Sequence, residues 1–193
     1  MQPEPVTFQI ENPTRFYSEI GVFCADINEN LLANGIDEVL KIRTEEQLTE
    51  DDVALTGRDP LGRLVSLQVL YSVPGDTIKR PGRELGSGAM RAEYLGLGIT
   101  RFHAKALPYY GMLGASSDIY CVTRTTNSAT IETCANHEGM VVIDASDSHI
   151  VYLLDRKKLD VYRDMYIAGR DEALRSSYCH NIADELLELE SPH

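Results

Sequence analysis

Alternation of apolar and polar residues along the 193-residue chain predicts a layered α/β domain. The clearest element is residues 63–73, where Leu67, Val69 and Leu70 belong to a nearly continuous apolar run. Such a run is typical of a central strand that is covered on both faces. We therefore expect the fold to be built around this strand.

The other elements are predicted from shorter patterns. Apolar residues three and four positions apart predict a helix over residues 15–34 and a closing helix over residues 170–190. Helices are also expected over residues 83–94, 103–113 and 127–137, although glycines interrupt the first of these. Short strands are predicted at residues 6–10, 38–42, 53–55, 118–125 and 140–143, and residues 149–154 form a short apolar element.

The length suits one domain of ordinary globular composition. We assign residues 1–14 to an N-terminal strand or arm and residues 15–167 to the α/β domain. Residues 168–193 are expected to form a C-terminal helix that packs on the domain or on a partner. No apolar run reaches the roughly 18 residues of a membrane span, and the polar residues 1–6 do not resemble a secretory signal. These features predict a cytoplasmic protein that does not enter a membrane.

The net charge and the cysteine spacing are evidence against two classes of function, unaided nucleic-acid binding and zinc binding. The formal net charge is −12, with 30 acidic against 18 basic residues, whereas a free-standing nucleic-acid binder usually carries a basic patch. The densest basic strip begins at Lys79, Arg80 and Arg83. The four cysteines are scattered and form no C-x-x-C pair, which is evidence against a zinc cluster.

Several short motifs occur in an order that is found in a known family. They are Glu19 with residues 31–35, residues 59–62 (Asp-Pro-Leu-Gly) with 65–69, residues 78–81 with 88–90, and residues 119–124 with 141–144 and 151–154. In this order, residues 16–154 resemble the catalytic domain of Mrr-type restriction endonucleases, which belong to the PD-(D/E)XK superfamily. The resemblance implies a restriction-endonuclease-like layered α/β fold, with a central mixed sheet flanked by helices.

The resemblance also implies a site. In that superfamily an acid and a second acid or glutamine on adjacent strands hold a divalent metal, and a lysine orients the attacking water. Carried over to this chain, Glu19 is the helix acid, Asp52 the strand acid with Asp51 as its rival, and Gln68 the second ligand. Asp52 and Gln68 would hold Mg²⁺. The alternatives are a solvated acidic loop around Asp52 and a core amide at Gln68.

The position of the superfamily's lysine is occupied by Leu70, which cannot hold a water or a phosphate. Lys79 or Lys105 could take over its role, and Lys79, Arg80 and Arg83 could contact nucleic acid. We therefore expect a nuclease-like binding or structural subunit with a degenerate site. The alternatives are a Mg²⁺-dependent DNA endonuclease with a relocated lysine and, more weakly, an acidic DNA mimic. The expected partners are DNA and a protein partner or a second copy of the chain.

Overall fold

One eight-stranded sheet organises the computed structural model, which describes residues 3–36, 40–114 and 117–190. The spatial order of the strands is β6-β7-β5-β4-β3-β2-β1-β8. The strands are β1 (Val6–Glu11), β2 (Val53–Arg58), β3 (Leu64–Tyr71), β4 (Arg83–Met90), β5 (Ile119–Arg124), β6 (Met140–Ala145), β7 (His149–Leu154) and β8 (Cys179–Ile182).

Neighbouring strands are antiparallel except for two pairs, because β4 runs parallel to β5 and β1 runs parallel to β8. The helices are α1 (Tyr17–Ala33), α2 (Thr100–Gly114), α3 (Ser128–Ala135), α4 (Leu159–Arg175) and α5 (Asp184–Leu187). The predicted mixed sheet flanked by helices is therefore confirmed. Within the described ranges, no helix is both long enough and apolar enough to cross a membrane.

Helices cover both faces of the sheet and create two main hydrophobic cores. On one face α1 contributes Ile20 and Phe23, which pack against Leu67 and Val69 of β3. The larger core lies on the other face, where α2 and α4 pack on the sheet; it includes Phe102 of α2 and Tyr166 of α4, with the two rings 6.1 Å apart. The central strand β3 is thus enclosed between these layers, as the apolar run over residues 63–73 predicted.

Leu70 is part of the larger core. Its side chain is fully buried and lies beside Gly111 of α2, where a β-carbon would be 2.6 Å from Leu70 Cδ2. The leucine at this position is therefore explained by packing between sheet and helix.

The predicted helix over residues 83–94 is wrong, because most of this segment forms strand β4. Gly86 and Gly88 fall inside it, and glycine in a helix interior costs about 1 kcal/mol relative to alanine. Gly86 instead lets the strand lie against Tyr71, whose ring is 3.2 Å from where a β-carbon would be. Between these glycines Ser87 adopts a φ of 50°, where the pairing with β3 is irregular.

The predicted closing helix over residues 170–190 is also wrong. Helix α4 begins earlier and ends at Arg175, because Ser176 is extended with a ψ of 134°. The chain then forms β8 beside β1 and the short helix α5, whose Leu186 is fully buried. The strand predicted at residues 38–42 lies partly outside the described residues, and residues 40–42 have no regular secondary structure.

Candidate functional site

Glu19, the predicted helix acid, stabilises a contact between α1 and the start of β3. Its Oε1 lies 2.7 Å from Nη1 of Arg58 and accepts the Leu64 N–H at 3.2 Å. Arg58 also pairs with Glu11 at 2.9 Å. Glu19 therefore has structural partners on two strands, β2 and β3.

The carboxylate of Asp52, the predicted strand acid, accepts backbone hydrogen bonds at two turns. Its Oδ2 accepts the Thr49 N–H at 2.8 Å, its Oδ1 accepts the Ser72 N–H at 2.6 Å, and the residue is only 2% exposed. Both carboxylate oxygens therefore fix the backbone where β2 begins and β3 ends.

We expect Asp52→Ala to lower the free energy of unfolding by about 2 kcal/mol, because two backbone N–H groups lose their acceptor. Asp51→Ala is the matched control, since the neighbouring residue is exposed and its carboxylate makes neither bond. Urea unfolding at pH 7 compares the two variants with the wild type. An equal loss in both variants would contradict the anchoring role.

The remaining predicted site residues make other contacts. Gln68 is on β3 opposite Leu55, and its Oε1 is buried without a hydrogen-bond partner among the described residues. Lys79 donates to the Asp76 carbonyl, and Arg83 donates to the Asp51 carbonyl at 3.2 Å.

A metal at Asp52 and Gln68 and DNA contacts at Lys79, Arg80 and Arg83 stay predictions, as do the expected partners. In the described ranges, no group of three or more His, Cys, Asp or Glu side chains could hold a metal ion.

A different site is formed where β4 and β5 separate. These parallel strands pair only over residues 83–85 and 119–121. Residues 86–90 and 122–124 continue as strands without pairing to each other in the described sheet. We call the space between these two segments the β4–β5 gap. Backbone N–H and C=O groups that face it need another partner, and an extended ligand carrying amides could supply one.

The carboxyl end of β4, where the strand has separated from β5, leads through residues 91–94 into a glycine loop, residues 95–99. Gly96 and Gly98 have φ values of 76° and 79°, in the left-handed region that favours glycine. The loop leads directly into α2, which is 15 residues long. The first N–H groups of a helix lack intrahelical acceptors and carry a positive partial charge. A glycine loop followed by such a helix is well suited to bind phosphate.

A cavity of about 280 Å³ lies at this loop, lined by Gly96, Gly98, Thr100, Arg101 and Glu172. Thr100 Oγ1 is buried and has no hydrogen-bond partner among the described residues. Arg101 is largely exposed and supplies a cation at the rim. The cavity therefore combines backbone donors, a hydroxyl and a guanidinium, which is a donor set for an anion.

A carboxylate lies at the closed end of the β4–β5 gap. Glu84 pairs with Tyr120 one residue before the last paired position. Its Oε2 binds Nη2 of Arg43 at 2.9 Å and the Gly75 N–H at 2.6 Å. Arg43 in turn lies 3.9 Å from the ring centroid of Tyr71. Both bonds are made by Oε2, so Oε1 is the oxygen that could accept a proton from a nucleophile that enters the gap.

Two thiols and an amine lie between α2, β5 and α3: Cys134 is buried, and Cys121 and Lys105 are half-buried. Interaction with the Cys121 thiol lowers the pKa of Cys134, and the Lys105 ammonium lowers it further against the opposing effect of burial. Burial lowers the pKa of Lys105. Burial, with a smaller contribution from Lys105, also lowers the pKa of His137 to about 4. Because Cys121 is the last residue of β5 paired with β4, this cluster adjoins the closed end of the gap.

The glycine loop was missed in the sequence, although a signal for it was present. Gly96 and Gly98 come after a strand and immediately before an apolar-periodic helix, which is the order typical of phosphate-binding loops. In the sequence these glycines lie between the predicted helices over residues 83–94 and 103–113, and no role was predicted for them. The β4–β5 gap left no such signal, because the separation of two strands depends on residues far apart in sequence.

Comparison with known proteins gives similarity in structure only. No family model matches the sequence, and no curated protein matches it. Solved structures do match. An acetyltransferase of the GNAT family from Listeria monocytogenes has a TM-score of 0.54 at 10% identity, with 76% of this chain and 93% of that chain covered.

Two further structures cover more of the chain. FdhC, described as a nucleotide-linked sugar GNAT, gives a TM-score of 0.54 at 12% identity and covers 88% of this chain and 98% of its own. The CoA-dependent acyl-homoserine lactone synthase BjaI gives 0.53 at 11% identity and covers 96% and 98%.

These similarities correct the resemblance to PD-(D/E)XK nucleases, which is wrong, together with the restriction-endonuclease-like fold inferred from it. The predicted functions are wrong as well: a degenerate nuclease-like subunit, a metal-dependent endonuclease and a DNA mimic. The physical reason is visible at residues 59–62, where Asp59 Oδ1 accepts the N–H groups of Leu61 and Arg63 in an ordinary turn between β2 and β3. The described part of the chain instead has the fold of GNAT acetyltransferases.

Proposed function

We propose that this protein transfers an acyl group from a coenzyme A thioester to an amine. The observation that carries the proposal is the glycine loop at the start of α2, which follows the end of β4 that is not paired with β5. The GNAT acetyltransferases and the CoA-dependent synthase that share the fold support it.

Coenzyme A has a diphosphate and a long arm with two amide groups. Its diphosphate would lie against the glycine loop and the first N–H groups of α2, near Thr100. Its arm would extend into the β4–β5 gap and hydrogen-bond to the backbone of residues 86–90 in the manner of an added strand. The thioester would then lie towards the closed end of the gap, near Glu84.

The reaction needs a base and a stabilised oxyanion. The amine nitrogen attacks the thioester carbonyl, a C–N bond forms, the C–S bond breaks, and the thiolate leaves and takes up a proton. Glu84 is our candidate to accept the proton from the attacking amine. Backbone N–H groups in the irregular part of β4 around Ser87 would stabilise the oxyanion that develops at the carbonyl.

The charge of the protein favours a cationic acceptor. A net charge of −12 creates a negative field that attracts amines in their protonated form and repels anionic acceptors. An amine is also the acceptor for which a carboxylate base such as Glu84 is useful, because a proton must be removed for the amide to form.

The experiment measures coenzyme A binding by titration calorimetry and thiol release from acetyl-CoA with a panel of amines. We expect Gly96→Ala to weaken coenzyme A binding by roughly tenfold, because a methyl group would project into the cavity and strain the left-handed loop. Wild-type protein that neither binds coenzyme A nor releases thiol would overturn the proposed function.

Gly62→Ala is the matched control. Gly62 has a φ of 81°, and nothing lies within 4 Å of its β-carbon position, as at Gly96, but it belongs to the β2–β3 turn. Both variants should lose similar stability, and only Gly96→Ala should lose affinity. Equal affinities in the two variants would remove the glycine loop from the binding site.

A further inference from the structure

The cation at the rim of the cavity is already engaged by a carboxylate from another helix. Nη1 of Arg101, on the first turn of α2, lies 3.3 Å from Oε2 of Glu172 on α4. Both residues line the cavity beside the glycine loop. A phosphate that binds in the cavity therefore lies near the negative charge of Glu172. It also lies near Arg101, which is the only guanidinium among the described residues that line the cavity.

Helix α4 is also fixed against the loop by contacts other than the ion pair. Ser176, just after the end of α4, donates from Oγ to the Leu97 carbonyl at 2.5 Å. A β-carbon on Gly98 would be 3.4 Å from Ser176 Cβ and 3.9 Å from the carbonyl oxygen of Glu172. Because these contacts hold α4 in place, replacing the Glu172 carboxylate should leave the position of the helix unchanged.

We propose that Glu172 competes with the phosphate groups of the ligand for Arg101 and thereby keeps the affinity of the site low. The inference rests on the proposed function. The carboxylate neutralises Arg101 in the free protein and repels the diphosphate in the complex. Binding therefore requires Arg101 to exchange a carboxylate partner for a phosphate partner.

The size of the effect follows from the exposure of the pair. Arg101 is 72% exposed and the Glu172 side chain is 37% exposed, so solvent screens their interaction. One unit charge a few ångströms from a phosphate at high dielectric changes an equilibrium by about fivefold. The effect should shrink as ionic strength rises, because added salt screens exposed charges.

The test compares Glu172→Gln with Asp171→Asn. The control removes one negative charge from the adjacent residue of α4, where Asp171 pairs with Arg170 and does not line the cavity. With coenzyme A and inorganic diphosphate as probes, we expect Glu172→Gln to tighten binding of both by about fivefold at low salt. Asp171→Asn should change either affinity by less than about twofold.

A double-mutant cycle adds a second readout. Arg101→Gln should weaken coenzyme A binding only slightly in the wild type, where Glu172 engages the guanidinium, and several-fold in the Glu172→Gln background. Strict additivity of the two substitutions would overturn the competition between carboxylate and phosphate, even if Glu172→Gln alone tightened binding.

The remaining outcomes separate the inference from the proposed function. If all variants bind coenzyme A equally well, the inference fails and the proposed function stands. If none binds coenzyme A but Glu172→Gln binds diphosphate more tightly than the wild type, the competition stands and the proposed function fails. If neither probe binds to any variant, both fail.

Discussion

Acidification from pH 7 to pH 5 is expected to lower the free energy of unfolding by about 4 kcal/mol, with His103 and His137 each contributing about 2 kcal/mol. Both residues are buried, at 6% and 4% exposure. Burial lowers the pKa of each to about 4, from an ordinary value of 6.5. The folded protein keeps both rings neutral, while the unfolded chain takes up protons below pH 6.5. Stability is therefore lost as the pH falls from 6.5 towards 4.

Urea unfolding followed by circular dichroism at pH 7 and pH 5 measures this loss. His103→Leu and His137→Phe each remove one titrating group, so each variant should lose about half of the pH-dependent change, whatever its stability at pH 7. Variants that keep the full wild-type dependence on pH would show that other groups are responsible.

Gly169→Ala is expected to destabilise the protein by about 2 kcal/mol, because overpacking between two helices in direct contact outweighs the roughly 1 kcal/mol that alanine gains in helix propensity. A β-carbon at Gly169 of α4 would be 3.0 Å from the backbone nitrogen of Phe102 and 3.1 Å from the carbonyl carbon of Arg101. These are backbone atoms of α2, which cannot rotate out of the way. The glycine is therefore the reason that α4 can approach the first turn of α2.

Gly21→Ala supplies the matched control for this substitution. Gly21 lies in the interior of α1, is exposed, and has nothing within 4 Å of its β-carbon position. Alanine there should stabilise the protein by up to about 1 kcal/mol through helix propensity alone. Thermal unfolding should thus shift in opposite directions in the two variants, and a shift in the same direction would contradict the packing argument.

Most of the elements could be predicted from local patterns, because their apolar periodicity was uninterrupted. The run around Leu67 and Val69 predicted β3, and the three-and-four spacing that includes Ile20 and Phe23 predicted α1. Strand β4 was mispredicted, because Gly86 and Gly88 serve contacts with distant residues rather than local propensity. Tertiary packing decided the conformation there.

The candidate site was harder to predict for a different reason. Residues that form it come from the β4–β5 crossover and from α4, more than 70 residues later. The family resemblance depended on short motifs such as residues 59–62. In the structure these residues form only a turn, in which Gly62 has a positive φ. A turn motif of this kind fits many folds, so its order along the chain could not identify one.

The parallel pairing of β8 with β1 has a consequence for how the protein folds. Val6 lies beside Cys179, so one edge of the sheet is completed by residues that are 173 positions apart in sequence. Contacts of such long range carry a high entropic cost of closure and form slowly. During synthesis the apolar edge of β1 stays open until residues 179–182 have been made, and an open edge of this kind can pair with other chains. This edge is where we expect nascent or truncated chains to aggregate first.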